Sequence, residues 1–208
     1  MYEYTINTLT METDKNAQRY NSFGEYLYWI YANLNMCNAA IDKHKKHYDR
    51  TCFMIRAKAF KAYKEGRWQI HSLYDNNNWK MDWGKEYCWY CGESLDKCGK
   101  LTAEHIFPRA KGGDNSFDNI AYACKKCNSS KGDKDLIVWI TSTLKIVPDF
   151  SLTCIYLKLV YKYAIEHHLM DLHSEDLDAM SLPFDHHSLM IIEHLIRDYY
   201  LEVFNKKE

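Results

Sequence analysis

Proline and glycine are scarce, at three and eight of 208 residues, and no proline precedes Pro108. That scarcity excludes a loop-rich or collagen-like chain and leaves long helices free to form. No apolar run approaches the length of a membrane span. The opening MYEYTINTLTMETDK lacks the basic-then-apolar pattern of a signal peptide, so a cytoplasmic protein without a membrane partner is expected. A net charge of −1 shows no excess of either sign in the total. Aromatic residues are plentiful at 15%, which predicts a chain folded throughout. The length fits one domain of ordinary size, or a small core with helical additions. Of the eight cysteines, Cys37, Cys52, Cys98 and Cys154 are scattered, as reduced cytoplasmic thiols are.

The other four stand as Cys88-x2-Cys91 and Cys124-x2-Cys127, the spacing at which a tight loop wraps one side of a tetrahedral metal. A zinc held by four thiolates is coordinatively closed, with no position for water or substrate. It therefore reads as a staple and not as a catalyst. Between the pairs, Leu101–His105 reads as a first strand and Asn119–Ala123 as its return. The Pro108–Asn115 stretch, with Gly112-Gly113, supplies turn chemistry between them. From Ser129 to Leu144 a helix is predicted, with Leu136, Ile137, Trp139, Ile140 and Leu144 on its apolar side. Cys98, between the pairs, has no partner of matching spacing and reads as free.

Residues 88–131, CWYCGESLDKCGKLTAEHIFPRAKGGDNSFDNIAYACKKCNSSK, resemble the HNH (ββα-metal) endonuclease domain over roughly residues 85–140. The resemblance rests on the cysteine pairs, Glu104-His105, Asp118-Asn119 and Asn128 occurring together and in order. It implies a phosphodiester hydrolase acting on DNA, most naturally double-stranded. Such chemistry needs an activated water, a Lewis acid at the phosphate and stabilisation of the leaving 3′ oxygen. His105 is the candidate base, since imidazole titrates near working pH. In the family pattern the residue beside the base and the residue after the last cysteine hold the catalytic ion. Those positions are Glu104 and Asn128 here, hard oxygen ligands that suit Mg2+ or Mn2+. The last position departs from the His of many relatives, which shifts preference away from zinc or nickel. The central Asn of the family corresponds to Asn119, expected to hold the loop and orient the His105 ring. Arg109 and Lys131 are candidate phosphate contacts that read equally well as surface cations.

Outside this stretch the chain reads as helical. Phe23, Leu27, Ile30, Tyr31 and Leu34 form a core-facing stripe. A second helix over about Arg50–Lys64 is expected to turn Phe53, Ala57 and Phe60 inward. From Lys15 to Arg67 there are eleven Lys/Arg against four Asp/Glu, concentrated in Lys43–His47 and in Arg56, Lys58, Lys61 and Lys64. A basic face is usually only a solvated one, but beside a nuclease motif it suits a duplex backbone. Asn76–Asn78, before Trp79 and Trp83, mark the start of the nuclease core. Later helices are expected over Leu152–Met170, with Ile155, Leu159, Tyr163 and Leu169 apolar, and over Ser188–Asn205. From Asp149 onward eleven acidic residues face five basic ones. His167-His168 and His186-His187 are not read as metal ligands, because adjacent histidines on a helix point different ways.

The sequence thus predicts a mainly α protein with a small ββα core stapled by zinc, an α+β fold. Its divisions are a basic helical region over 1–83, a nuclease core over 84–145 and an acidic helical region over 146–208. The reading is a metal-dependent DNA endonuclease, with a bacterial anti-phage system as its expected setting. The alternatives are a nuclease subunit gated by a partner such as an ATPase, and a non-catalytic zinc ribbon that binds nucleic acid.

Overall fold

The computed structural model describes residues 20–70 and 86–205. The expected start of the nuclease core at Asn76–Asn78, Trp79 and Trp83 lies outside these, as does the amino terminus. The chain divides into two compact units that alternate along the sequence. One holds described residues 86–160 and 180–188, and the other holds 20–70, 161–179 and 189–205. The core expected over 84–145 falls in the first unit, while residues 146–208 are shared between both.

In the helical unit, α1 (Phe23–Ile41) starts at Ser22, whose hydroxyl accepts the Glu25 N–H at 3.2 Å. Its expected stripe of Phe23, Leu27, Ile30, Tyr31 and Leu34 is buried. Helix α2 (Arg50–Lys64) is capped by Asp49, which accepts the Cys52 N–H at 3.0 Å. It turns Cys52, Ala59, Ala62 and Tyr63 inward, not Phe53 and Ala57, while the expected Phe60 is half-buried with its ring edge-on to Trp29 at 5.5 Å. Phe53 is 44% exposed. The small alanines let the two backbones approach, so the buried line follows packing size and not hydrophobicity. Glu193 joins this unit through bonds from Trp29 Nε1 (2.8 Å) and the Tyr26 hydroxyl (3.1 Å).

In the other unit, β1 (Leu101–His105) pairs antiparallel with β2 (Ile120–Cys124), Leu101 facing Cys124 and His105 facing Ile120. The first strand is as expected and the second begins one residue late. The helix expected over 129–144 is instead broken. Helix α3 (Lys125–Lys131) ends at Gly132, whose φ of 53° suits glycine. Asp135 then caps α4 (Leu136–Trp139), which runs into a wide turn of helix over Ile140–Leu144. Leu136, Ile137, Trp139 and Ile140 are buried as expected, and Leu144 is half-buried. Trp139 lies edge-on to Tyr90 at 5.5 Å.

Helix α5 (Phe150–Glu166) begins in this unit. Its Tyr156 is fully buried and donates to Asp135 Oδ2 at 2.5 Å, with Ser188 Oγ at 2.7 Å from the same hydroxyl. Asp135 also accepts the Val138 N–H (3.0 Å) and the Asp185 N–H (3.1 Å). The last helix is also split, into α6 (Ser188–Asp198) and α7 (Tyr200–Asn205).

Burial raises the Asp135 carboxyl, with the Tyr156, Val138 and Asp185 donors opposing that shift. Asp135→Ala leaves the Val138 and Asp185 N–H groups without their acceptor, while the Tyr156 hydroxyl keeps Ser188, and urea unfolding should show a loss of about 2 kcal/mol or more. Since the folded value is raised, the group's contribution is full below the ordinary aspartate range and is lost as pH rises through the folded value. The advantage of wild type over Asp135→Asn should therefore shrink with rising pH in paired unfolding curves.

Candidate active site

The four paired cysteines meet at one point. One Sγ from each of Cys88, Cys91, Cys124 and Cys127 lies within 4.8 Å of the others. Tetrahedral thiolate coordination at about 2.3 Å places sulfurs a little under 4 Å apart, so the cluster fits a closed metal site. Cys124 ends β2 and Cys127 lies on α3, so the cluster ties the first loop to the sheet and the helix. Cys88 Sγ accepts the Cys124 N–H at 3.3 Å. Hydrogen bonds from Cys127 and Cys91 pull the Cys88 thiol down to about 2. Cys127 is pushed up, chiefly by its pairing with Cys88. A cation among four sulfurs gathered this closely would let all of them ionise. Cys98 stands outside the cluster, its sulfur 3.7 Å from the Glu93 carbonyl.

Alternation along β1 sets Thr102 and Glu104 on one face and His105 on the other. Helix α3 covers the first face. Its Asn128 donates through Nδ2 to Thr102 Oγ1 at 3.1 Å, and that hydroxyl donates to the Ala123 carbonyl at 3.3 Å. The relay fixes the carboxamide with its oxygen turned away from Thr102. Lys131, one turn on, reads from sequence as a phosphate contact or a surface cation. It is instead wholly buried. Its ammonium donates to Glu104 Oε1 (3.0 Å) and to the His105 carbonyl (2.7 Å). Burial lowers the Lys131 pKa, and Glu104 opposes the shift. Opposite Glu104 stands Ala121, small and buried.

On the other face His105 Nε2 lies 2.8 Å from Asn115 Oδ1. A carboxamide oxygen only accepts, so with this amide orientation Nε2 carries the proton and Nδ1 keeps the lone pair. Asn119, the residue expected to orient the ring, makes its contacts with backbone instead. Its side chain is fully buried. It accepts the Phe107 N–H at 2.7 Å and donates to Phe107 O at 3.1 Å and Asp114 O at 2.7 Å. Its own carbonyl accepts the Ile106 N–H at 2.8 Å. The loop after His105 is thus clamped at both ends, and the ring is met by Asn115. Sequence reasoning missed Asn115, whose place after Gly112-Gly113-Asp114 reads only as turn chemistry. Gly113 is required, since a Cβ there would lie 1.9 Å from the Phe107 carbonyl oxygen. Arg109 stands exposed on the short turn Arg109–Lys111.

In the helical unit the expected basic row divides. Arg56 lies over the Trp29 ring at 4.6 Å and bonds Asn33, and Lys64 pairs with Glu25. Arg50, Lys58 and Lys61 remain exposed along α2.

A metal held by four such thiolates would bind with on the order of 10 kcal/mol, and Cys88→Ser or Cys124→Ser would remove one of its ligands. That compares with the whole stability of an ordinary domain. The expected outcome is loss of bound metal by elemental analysis together with loss of cooperative unfolding. Folded wild-type protein without metal would contradict it.

An HNH endonuclease family profile matches residues 88–135. The CRISPR-associated endonuclease Cas9 of Corynebacterium diphtheriae is 35% identical over 57 residues, which is 27% of this chain and 5% of that protein. No solved structure gives a significant match. No helix among the described residues is long and apolar enough to cross a membrane. The cysteine cluster, the two-stranded sheet and the Glu104-His105 pair all fall inside the matched stretch. The chain thus matches the HNH endonuclease family over residues 88–135, and it spans only a small part of the length of the Cas9 relative.

Proposed function

We propose that the protein is a metal-dependent DNA endonuclease in which His105 is the general base, its Nδ1 taking the proton from the attacking water. The observation that carries this is the pairing of His105 Nε2 with Asn115 Oδ1, which leaves Nδ1 free to accept. Asn119 is a positioning residue that holds the loop behind the base through Phe107 and Asp114. Glu104 and Asn128 are the residues that would hold Mg2+ or Mn2+. Both offer oxygen, and the Thr102 relay turns the Asn128 oxygen away from Thr102. When bound, such an ion supplies Lewis-acid stabilisation of the phosphate and the leaving oxygen. Lys131 keeps Glu104 in place and neutralises part of its charge, a role in place of phosphate contact. Arg109, exposed beside the loop, is the remaining phosphate candidate in this unit.

The four thiolates are assigned to a structural zinc, whose closed shell leaves it no part in the hydrolysis. Double-stranded DNA is the proposed substrate, supported by the exposed cations of α2. A place in antiviral defence is supported by the Cas9 likeness alone. Gating by a protein partner such as an ATPase has only the acidic C-terminal composition in its favour.

His105→Ala should keep zinc and fold and lower plasmid cleavage on the order of 10²-fold or more. Cleavage should require Mg2+ or Mn2+ and fail with Zn2+ alone, and Asn128→Ala should raise the Mg2+ concentration needed. Wild-type cleavage by His105→Ala would remove the base assignment. If α2 tracks a duplex, reversing Arg50, Lys58 and Lys61 to Glu should weaken binding to all sequences alike. The salt slope of binding, read by fluorescence anisotropy, should fall by about one for each phosphate no longer neutralised.

A further inference from the structure

The loop that follows His105 is gripped from two sides, and only one side belongs to the matched domain. Asn119 holds the Phe107 backbone from within residues 88–135. The Phe107 side chain is held by residues beyond that stretch. Phe184 stacks on its ring at 5.5 Å with 29° between the planes. Tyr156 meets the same ring edge-on at 5.8 Å and 82°. All three rings are buried, with exposures of 4%, 5% and 0% for Phe107, Phe184 and Tyr156. Phe184 is fixed in turn, because Asp185, its neighbour, donates its N–H to Asp135 Oδ2, and Asp135 accepts the Tyr156 hydroxyl. The segment 180–188 belongs to the nuclease unit although the chain on either side of it belongs to the other.

We propose that Phe184 is a positioning residue for cleavage, acting through Phe107 on the loop that sets the His105 base. The backbone bonds of Asn119 fix where the Phe107 peptide lies but leave its ring free to swing about its own side-chain torsions. The Phe184 stack on one side and the Tyr156 edge on another restrict that freedom, and aromatic pairs of this geometry contribute beyond their buried area. Misplacing a base by about an ångström can cost up to 10²-fold in rate, so a ring two residues from His105 is close enough to matter. Phe184 touches neither substrate nor the reacting atoms, so it is not a catalytic residue. The inference rests on the nuclease reading for its rate arm only.

The test uses full-length protein with Phe184→Leu, which keeps apolar volume and removes the stacked ring, beside Asn119→Ala, the double variant and Ile140→Val as a buried control. Hydrogen exchange read by NMR should show faster exchange at the Phe107 amide in Phe184→Leu while strand amides of β1 and β2 stay protected. Single-turnover cleavage should fall on the order of tenfold with DNA affinity within about twofold. Because both residues act through Phe107, the double variant should be no slower than Asn119→Ala alone. Ile140→Val should lower the melting temperature without either effect. Unchanged exchange at Phe107, exchange that rises equally across the strands, or rate losses that multiply in the double variant would each overturn the proposal. If wild-type protein does not cleave, the nuclease reading falls, and the exchange arm still decides the role of Phe184.

Discussion

Two strands of five residues cannot hold a reactive side chain in place by themselves, and this constraint shapes everything around His105. A lone hairpin is marginal in water, and this one has a long connection where a tight turn would otherwise set the register. The protein meets the constraint with three ties of different physics. Thiolates gather the open end of the sheet at Cys124. A buried carboxamide, Asn119, replaces the missing ladder beyond the other end with bonds to Phe107 and Asp114. A buried ammonium, Lys131, joins helix to strand through Glu104 and the His105 carbonyl. Each tie satisfies groups that would otherwise be buried without partners.

The ties also explain why chemistry is divided between the faces of β1. Groups that offer oxygen, Glu104 and Asn128, lie on the helix side, where the neighbouring Lys131 moderates the charge of Glu104. The imidazole lies on the loop side, where the neutral carboxamide of Asn115 meets it. The alternation of a strand thus puts the imidazole on the face away from Glu104 and the Lys131 ammonium, across one peptide.

Much of this was legible in the sequence because spacing carries it. The cysteine pairs, the Glu-His pair and the Asn after the last knuckle are local patterns, and the structure brings the four cysteines together. The strand Leu101–His105 was legible because its limits are set by a tight loop before it and a proline after it. Other features depend on packing size or on distant partners. The inner face of α2 follows alanines that composition would not favour over Phe53. The break at Gly132 was missed because the apolar residues that marked the helix, from Leu136 onward, all lie beyond it. Lys131 looked like any surface lysine, since nothing local announces that Glu104 will sit over it. Asn115 lay in a run of turn residues whose backbone role masked its side chain. Phe184 lies far along the chain from the ring it stacks on, with no motif to join them.

That distance has a consequence for synthesis. A chain emerging from the ribosome presents the cysteine pairs, both strands and the Glu104-His105 pair long before Phe184 is made. The four cysteines and both strands are already available while the Phe107 ring still lacks its stacking neighbour and Asp135 lacks the Asp185 N–H. The loop behind the imidazole can gain its Phe184 contact only once residues 180–188 have been made. The last contacts to form are supplied by a segment that follows most of the chain.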